Sequence, residues 1–330
     1  MYKIFKRENM ALSKQEHLDS SLQTHRMSHI DDLVEKYKDK RKNVKEAIEN
    51  KYGVNIYSPM NSGSFAKYTA INIKFDLDLL VPFKKDSFAT LEEMFNDIYD
   101  FLYEEYKNEA TIRKQKVSIG LEFYSDSDGD IINLDIVPGR ELNKDQYSND
   151  NKLNLYVNSM YGLLEEKTYL QTNIKAQIDH ITSKENERKI IRLLKIWKNH
   201  NSEPYKSFLL ELLVIKAFEK ESISGNLWEK LKKVMEYIQD NVTKDNFTLK
   251  DPGNSGNDVI NTLTSYDRSN LSNKMQRIID NIENNEDYIK SYFPINKEFE
   301  EKEDDGSQRG YGLKTASLSA SVPPNNTRFG

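Results

Sequence analysis

The sequence predicts an α+β fold in which a sheet-bearing lobe is followed by a helical lobe. Three observations carry this. Short apolar or alternating runs bounded by turn residues crowd the stretch 71–137, where FDLDLLV, KVSIGLEFY and INLDIVPG read as strands. From about residue 158 onward apolar residues recur at helical spacing instead. Strands first and helices later is the order of an α+β protein, and 330 residues suffice for two lobes.

Taken in order, residues 11–52 read as helical, with Val34, Tyr37, Val44 and Ile48 on one face and Gly53 ending the segment. VNIYSPMNSGS opens a strand-and-turn region, and strands are expected over 71–82, 116–124 and 130–137. Between the first two lies a helix over 88–107, with Leu91, Phe95, Ile98, Phe101 and Leu102 on one side. The turn SDSDGD joins the last two strands as a hairpin. Its composition is that of a calcium loop, but the twelve-residue spacing and terminal Glu are missing, so it reads as a turn. In ERKIIRLLKIWKNHN, Ile190, Leu193, Leu194 and Trp197 follow i, i+3, i+4, i+7 spacing, and SFLLELLVIKAF is apolar enough to be a buried helix. The resulting division is a helical segment 1–52, a core 53–157, a helical lobe 158–300 and a flexible tail 301–330, acidic and then rich in Gly, Ser, Ala and Pro.

Composition narrows the chemistry. There is no cysteine, which excludes disulfides, thiolate zinc sites and cysteine nucleophiles and fits a cytoplasmic location. A net charge of −5 argues against strong nucleic-acid binding through charge. No apolar run is long enough for a membrane span, and MYKIFKRENM lacks the apolar core of a signal peptide. His25 and His29, four apart on a helix, read as surface residues rather than a metal pair.

The chemistry-bearing pattern is Asp76, Asp78 and Asp135. Residues i and i+2 of a strand share a face, so FDLDLLV aims both carboxylates one way, and a second strand delivers Asp135 beside them. Three hard oxygen ligands suit Mg²⁺ or Mn²⁺, and two such ions about 3.5–4 Å apart stabilise attacking and leaving oxygens in a phosphoryl displacement. Gly63 and Ser64 come a dozen residues earlier. Glycine lets the backbone approach phosphate oxygens, and a helix opening there would add positive potential and a serine hydroxyl.

With these parts placed, the chain resembles the polymerase-β-like nucleotidyltransferases, and more closely the bacterial CD-NTases that make cyclic oligonucleotide signals. The resemblance covers roughly residues 50–300. It rests on GSFAKYTAINIKFDLDLLVPF, INLDIVPG, LLKIWKNHNSEPYKSFLLELL and FTLKDPGNSGNDV. It implies that Asp76, Asp78 and Asp135 hold two Mg²⁺ or Mn²⁺ ions and that Gly63 and Ser64 cradle the donor triphosphate. Lys195 and Ser207 would contact that triphosphate, and Phe208 would face the donor base. Asp251 reads as a turn former, with Asn254 and Asn257 as lesser candidates for lining the site. The implied activity joins nucleoside triphosphates into a cyclic di- or trinucleotide with release of pyrophosphate, in antiphage (CBASS) signalling, and the product alone would reach a downstream effector. The resemblance also implies an E1/E2-like conjugating partner for the C-terminal Gly330. A linear oligonucleotide synthase, an RNA 3′-end nucleotidyltransferase and a non-catalytic nucleotide-binding module remain as alternatives.

Overall fold

A computed structural model describes residues 13–158 and 168–300. The chain runs α1 (Lys14–Thr24), α2 (Asp31–Tyr52), β1 (Met60–Ser62), α3 (Gly63–Ala66), β2 (Leu77–Phe83), α4 (Leu91–Tyr106), β3 (Ala110–Lys114), β4 (Ile119–Phe123) and β5 (Asn133–Glu141). It continues through α5 (Tyr147–Asp150), β6 (Leu153–Tyr156), β7 (Tyr169–Thr172), α6 (Ile174–Thr182), α7 (Glu185–His200), α8 (Ser207–Lys220) and α9 (Leu227–Asn241). A hairpin of β8 (Lys250–Asp251) and β9 (Asn254–Asp258) precedes α10 (Ser265–Asn284) and α11 (Tyr288–Tyr292).

Among the described residues seven strands form one sheet. Its main path is β1-β2-β5-β4-β3, and β6 pairs with the far end of β5 and with β7. β2 and β5 are parallel neighbours; the other pairs are antiparallel. Alternation along β2 sorts its side chains. Leu77, Leu79, Val81 and Phe83 enter a core shared with α2 and α4, while Asp78 and Leu80 take the opposite face. The helical lobe has its own core, built on Ile190, Leu193, Leu194 and Trp197 of α7 with the buried face of α8.

Four expectations need correction. Residues 11–52 are not one helix: Arg26 is extended, a 3₁₀ turn follows, and α2 restarts at Asp31. The break has a consequence, because Leu18 and Leu22 of α1 pack into the helical lobe while Tyr37, Val44 and Ile48 of α2 pack under the sheet. The strand expected over 71–82 begins at Leu77, since Ile71 and Lys74 close a turn ahead of it. The second half is not purely helical, for β7 and the β8–β9 hairpin lie within it. His25 is buried rather than at the surface, its Nδ1 2.8 Å from the Ser21 carbonyl. The tail 301–330 lies outside the described residues, as does Gly330 with its expected conjugation. Among the described residues no helix is long and apolar enough to cross a membrane.

Candidate active site

Strand register assembles the centre of the site. Ser62 of β1 pairs with Asp78 of β2, Asp78 with Asp135 of β5, and Asp135 with Gly120 of β4. Residues paired across a sheet share a face, so one row carries the two carboxylates side by side. Asp78 and Asp135 are buried, at 6% and 1% exposure, and Ser62 Oγ beside them is buried without a hydrogen bond. Asp76 sits one residue ahead of β2, half-buried, and lines the same cavity as the other two.

Gly63 explains how a loop comes this close. Its φ is +68°, and a Cβ built on it would lie 1.6 Å from Asp78 Oδ2. Only glycine fits that conformation and that gap. The one-turn helix α3 then closes on itself through Lys67 N–H to the Gly63 carbonyl (3.3 Å) and Thr69 N–H to the Ser64 carbonyl (3.0 Å). On the other side of the row, Gln115 Nε2 donates to Asp135 Oδ1 at 3.0 Å, and Ser118 Oγ donates to Gln115 Oε1 at 2.8 Å. Ser118 thereby fixes which end of the Gln115 amide meets the carboxylate. Gly120 leaves room for this, since a Cβ there would meet Gln115 Nε2 at 2.4 Å.

The helical lobe supplies a wall of lysines. Lys195 of α7 is buried and donates to the Thr69 carbonyl at 2.9 Å and to Thr69 Oγ1 at 3.1 Å. Desolvation pushes its pKa down to about 8, with the Glu211 carboxylate opposing the fall. Lys198, one turn on, donates to Ser207 Oγ at 3.2 Å; desolvation and then Lys74 push it to about 8 as well. Phe208 lies under the ammonium of Lys67, 4.6 Å from the ring centroid. Lys67 in turn donates to Glu211 Oε1 at 2.8 Å, both side chains being under a tenth exposed.

These groups line one cavity of about 250 Å³ between the lobes, with Asp76, Asp78, Asp135, Gly63, Ser64, Lys195, Ser207 and Phe208 all on its walls. Leu155, Leu170, Ile174, Gln177, Asp251 and Asn257 also line it. Asp251 does shape the turn, accepting from Gly253 N–H at 2.7 Å, but it also accepts from Gln177 Nε2 at 2.9 Å and faces the cavity. Asn254 instead donates to the Gln171 carbonyl.

Sequence reasoning missed four residues here. Glu211 left a signal as the single charge within SFLLELLVI, and Lys198 another as a lysine one turn beyond Lys195. Lys67 and Gln115 left none. A separate acidic group lies outside the cavity. Asp126, Asp128 and Asp130 have ligand oxygens within 4.8 Å of one another, but the Lys36 ammonium already sits among them at 2.6–2.7 Å. In the Asp76–Asp78–Asp135 set, strand pairing holds Asp78 beside Asp135, and Asp76 stands outside the ladder.

The architecture is a mixed sheet bearing paired carboxylates, a glycine turn against them and a helical lobe that sets lysines across a cleft. Its fold is that of solved CD-NTase structures. CdnC from E. coli MS115-1, solved with ATP, superposes with a TM-score of 0.66 at 19% identity, covering 87% of this chain and 99% of that one. CdnG from Bradyrhizobium diazoefficiens, in complex with GTP, gives 0.65 at 13% identity over 87% and 97%. The cyclic AMP-GMP synthase DncV from Vibrio cholerae, in complex with the linear intermediate pppA(3′,5′)pG, gives 0.56 at 14% identity over 72% and 68%. No protein-family model matches the sequence, and neither does any curated protein.

Proposed function

We propose that the protein is a CD-NTase-type enzyme, a metal-dependent nucleotidyltransferase that joins nucleoside triphosphates into a cyclic di- or trinucleotide. The observation carrying this reading is the register of Asp78 beside Asp135 with Gly63 pressed against Asp78, all facing a lysine-lined cavity. The donor set fits hard divalent cations: it is all carboxylate, with Asp78 and Asp135 buried and Asp76 half-buried, and bordered by space that only a glycine leaves open. Asp76, Asp78 and Asp135 would hold Mg²⁺ or Mn²⁺, which when bound supplies neutralisation of the charge developing on the transferred phosphoryl group.

The chain's own groups supply position and polarity. Gly63 and Ser64 offer backbone and hydroxyl donors to the donor triphosphate, with Lys198 and Ser207 opposite. Phe208, on the cavity wall, offers an aromatic ring to the donor base. Asp135, with one oxygen fixed by Gln115, is the carboxylate placed to take the acceptor hydroxyl proton. The hydroxyl oxygen then bonds to the α-phosphorus, the α–β bridging bond breaks, and pyrophosphate leaves. A second such transfer between the joined nucleotides closes the ring. Among similar folds are a cyclic AMP-GMP synthase and a c-di-GMP synthase, which favours a ring over a linear chain. The cyclic product would act on a downstream effector in an antiphage response.

The test is pyrophosphate release from mixed nucleoside triphosphates with Mg²⁺ or Mn²⁺. Release that is lost in the Asp76→Ala, Asp78→Ala double variant supports the reading; release that survives in it refutes the metal-site assignment.

A further inference from the structure

We propose that Lys67 is a phosphate-binding residue of the cleft and that Glu211 is the positioning residue that aims it. The inference rests on the nucleotide reading given above. Four observations lead to it. Lys67 caps the one-turn helix that begins at Gly63, so it travels with the loop that would meet the triphosphate. Its side chain lines the same cavity as Gly63, Ser64 and Lys198. Its ammonium meets Glu211 on one side, at 2.8 Å, and the Phe208 ring on another, at 4.6 Å. An ammonium has three protons, and two directions are thereby spoken for.

The neighbouring lysine is used differently. Lys195 turns its ammonium to Thr69, binding the end of the same loop to α7. The loop 63–69 is thus tied to the helical lobe twice, at Thr69 by Lys195 and at Lys67 by Glu211.

Stability alone does not call for the second tie. Replacing a buried ion pair with apolar side chains of similar volume is often neutral or stabilising, because desolvation offsets the attraction. What an apolar pair cannot provide is a cation held in a fixed place on the cavity wall. A long flexible lysine without an anchor would lose rotamer entropy on meeting phosphate. Glu211 removes that loss in advance, and its own charge is outweighed by Lys67 and Lys195 around it.

The experiment measures binding of non-hydrolysable ATP and GTP analogues with Mg²⁺, alongside the corresponding monophosphates. It compares wild type with Glu211→Gln, Lys67→Met, and the apolar double variant Lys67→Met, Glu211→Leu. Lys67→Met should weaken triphosphate binding roughly tenfold or more, the range for a hydrogen bond to a charged group, and leave monophosphate binding within about twofold. Glu211→Gln should weaken the triphosphate in the same selective way, and the double variant should be no weaker than Lys67→Met alone, since coupled residues are not additive. A double variant that is folded, as judged by its melting temperature, and binds triphosphate as wild type does would overturn the proposal. Equal losses for tri- and monophosphate would overturn it too, because they mark a merely structural pair. If wild type binds no nucleotide at all, the underlying functional reading falls, which is a different result from wild-type binding that the variants leave unchanged.

Discussion

Replacing Gly63 by alanine should cost far more activity than stability. The added Cβ would sit 1.6 Å from Asp78 Oδ2, against a lower limit of 3.0 Å for real contacts, so the carboxylate must retreat by about 1.4 Å. A misplacement near 1 Å at a reacting centre costs on the order of a hundredfold in rate. The backbone adds its own strain, because alanine at φ +68° costs roughly 1–2 kcal/mol. Gly129→Ala is the matching control. That residue also has positive φ, +85°, but a Cβ there meets nothing within 4 Å. Both variants should therefore lose similar backbone stability, seen as a modest drop in melting temperature. Only Gly63→Ala should lose turnover, by roughly a hundredfold or more in pyrophosphate release. Turnover within a few-fold of wild type in Gly63→Ala would refute the placement of Asp78 as a reactive-centre ligand behind this turn.

Other outcomes follow from the same geometry. Gln115→Leu removes the amide that fixes Asp135, and as an outer partner of a metal-binding carboxylate its loss should raise the Mg²⁺ requirement or lower turnover by about 10–100-fold, read from a metal titration of rate. Lys195 and Lys198 both have pKa values lowered to about 8, and of the two Lys198 is the one assigned to phosphate, so nucleotide affinity should fall as pH rises past 8 and that cation is lost. Stability runs the other way: the unfolded chain binds more protons than the native state between about 8 and the ordinary lysine range, so these two groups make the fold more stable as pH rises through that window, measured by melting temperature. Phe208→Ala should raise KM for the donor nucleotide, by roughly 1–3 kcal/mol of stacking in a binding assay, and leave the metal titration unchanged.

The legible parts of this protein were those with a strong local pattern. The stripes of α2, α4 and α7 are where periodicity puts them, α8 is buried as its apolar run requires, and the hairpin at SDSDGD joins β4 to β5. Asp78 and Asp135 follow from alternation alone, because each interrupts a buried apolar run, LDLLV in β2 and LDIV in β5. Asp76 was misjudged as a strand residue because Ile71 and Ile73 extend the apolar alternation backward, while a turn at Ile71–Lys74 overrides it. β3 escaped notice because TIRK is half-exposed and polar. The Gln115 and Lys67 contacts were out of reach for another reason. Gln115 meets Asp135 only once β4 pairs with β5 in the sheet, and Lys67 meets Glu211, 144 positions away, only once the helical lobe packs across the cleft.

The most direct test of the central claim is mass spectrometry of products formed from all four nucleoside triphosphates with Mg²⁺, after phosphatase treatment. A ring has no terminal phosphate to lose. A phosphatase-resistant product with the mass of two or three nucleotide units joined in a closed ring, absent from the Asp76→Ala, Asp78→Ala double variant, is the predicted result. Products that phosphatase strips completely to open chains would contradict cyclisation, and the same products from the double variant would contradict the metal site itself.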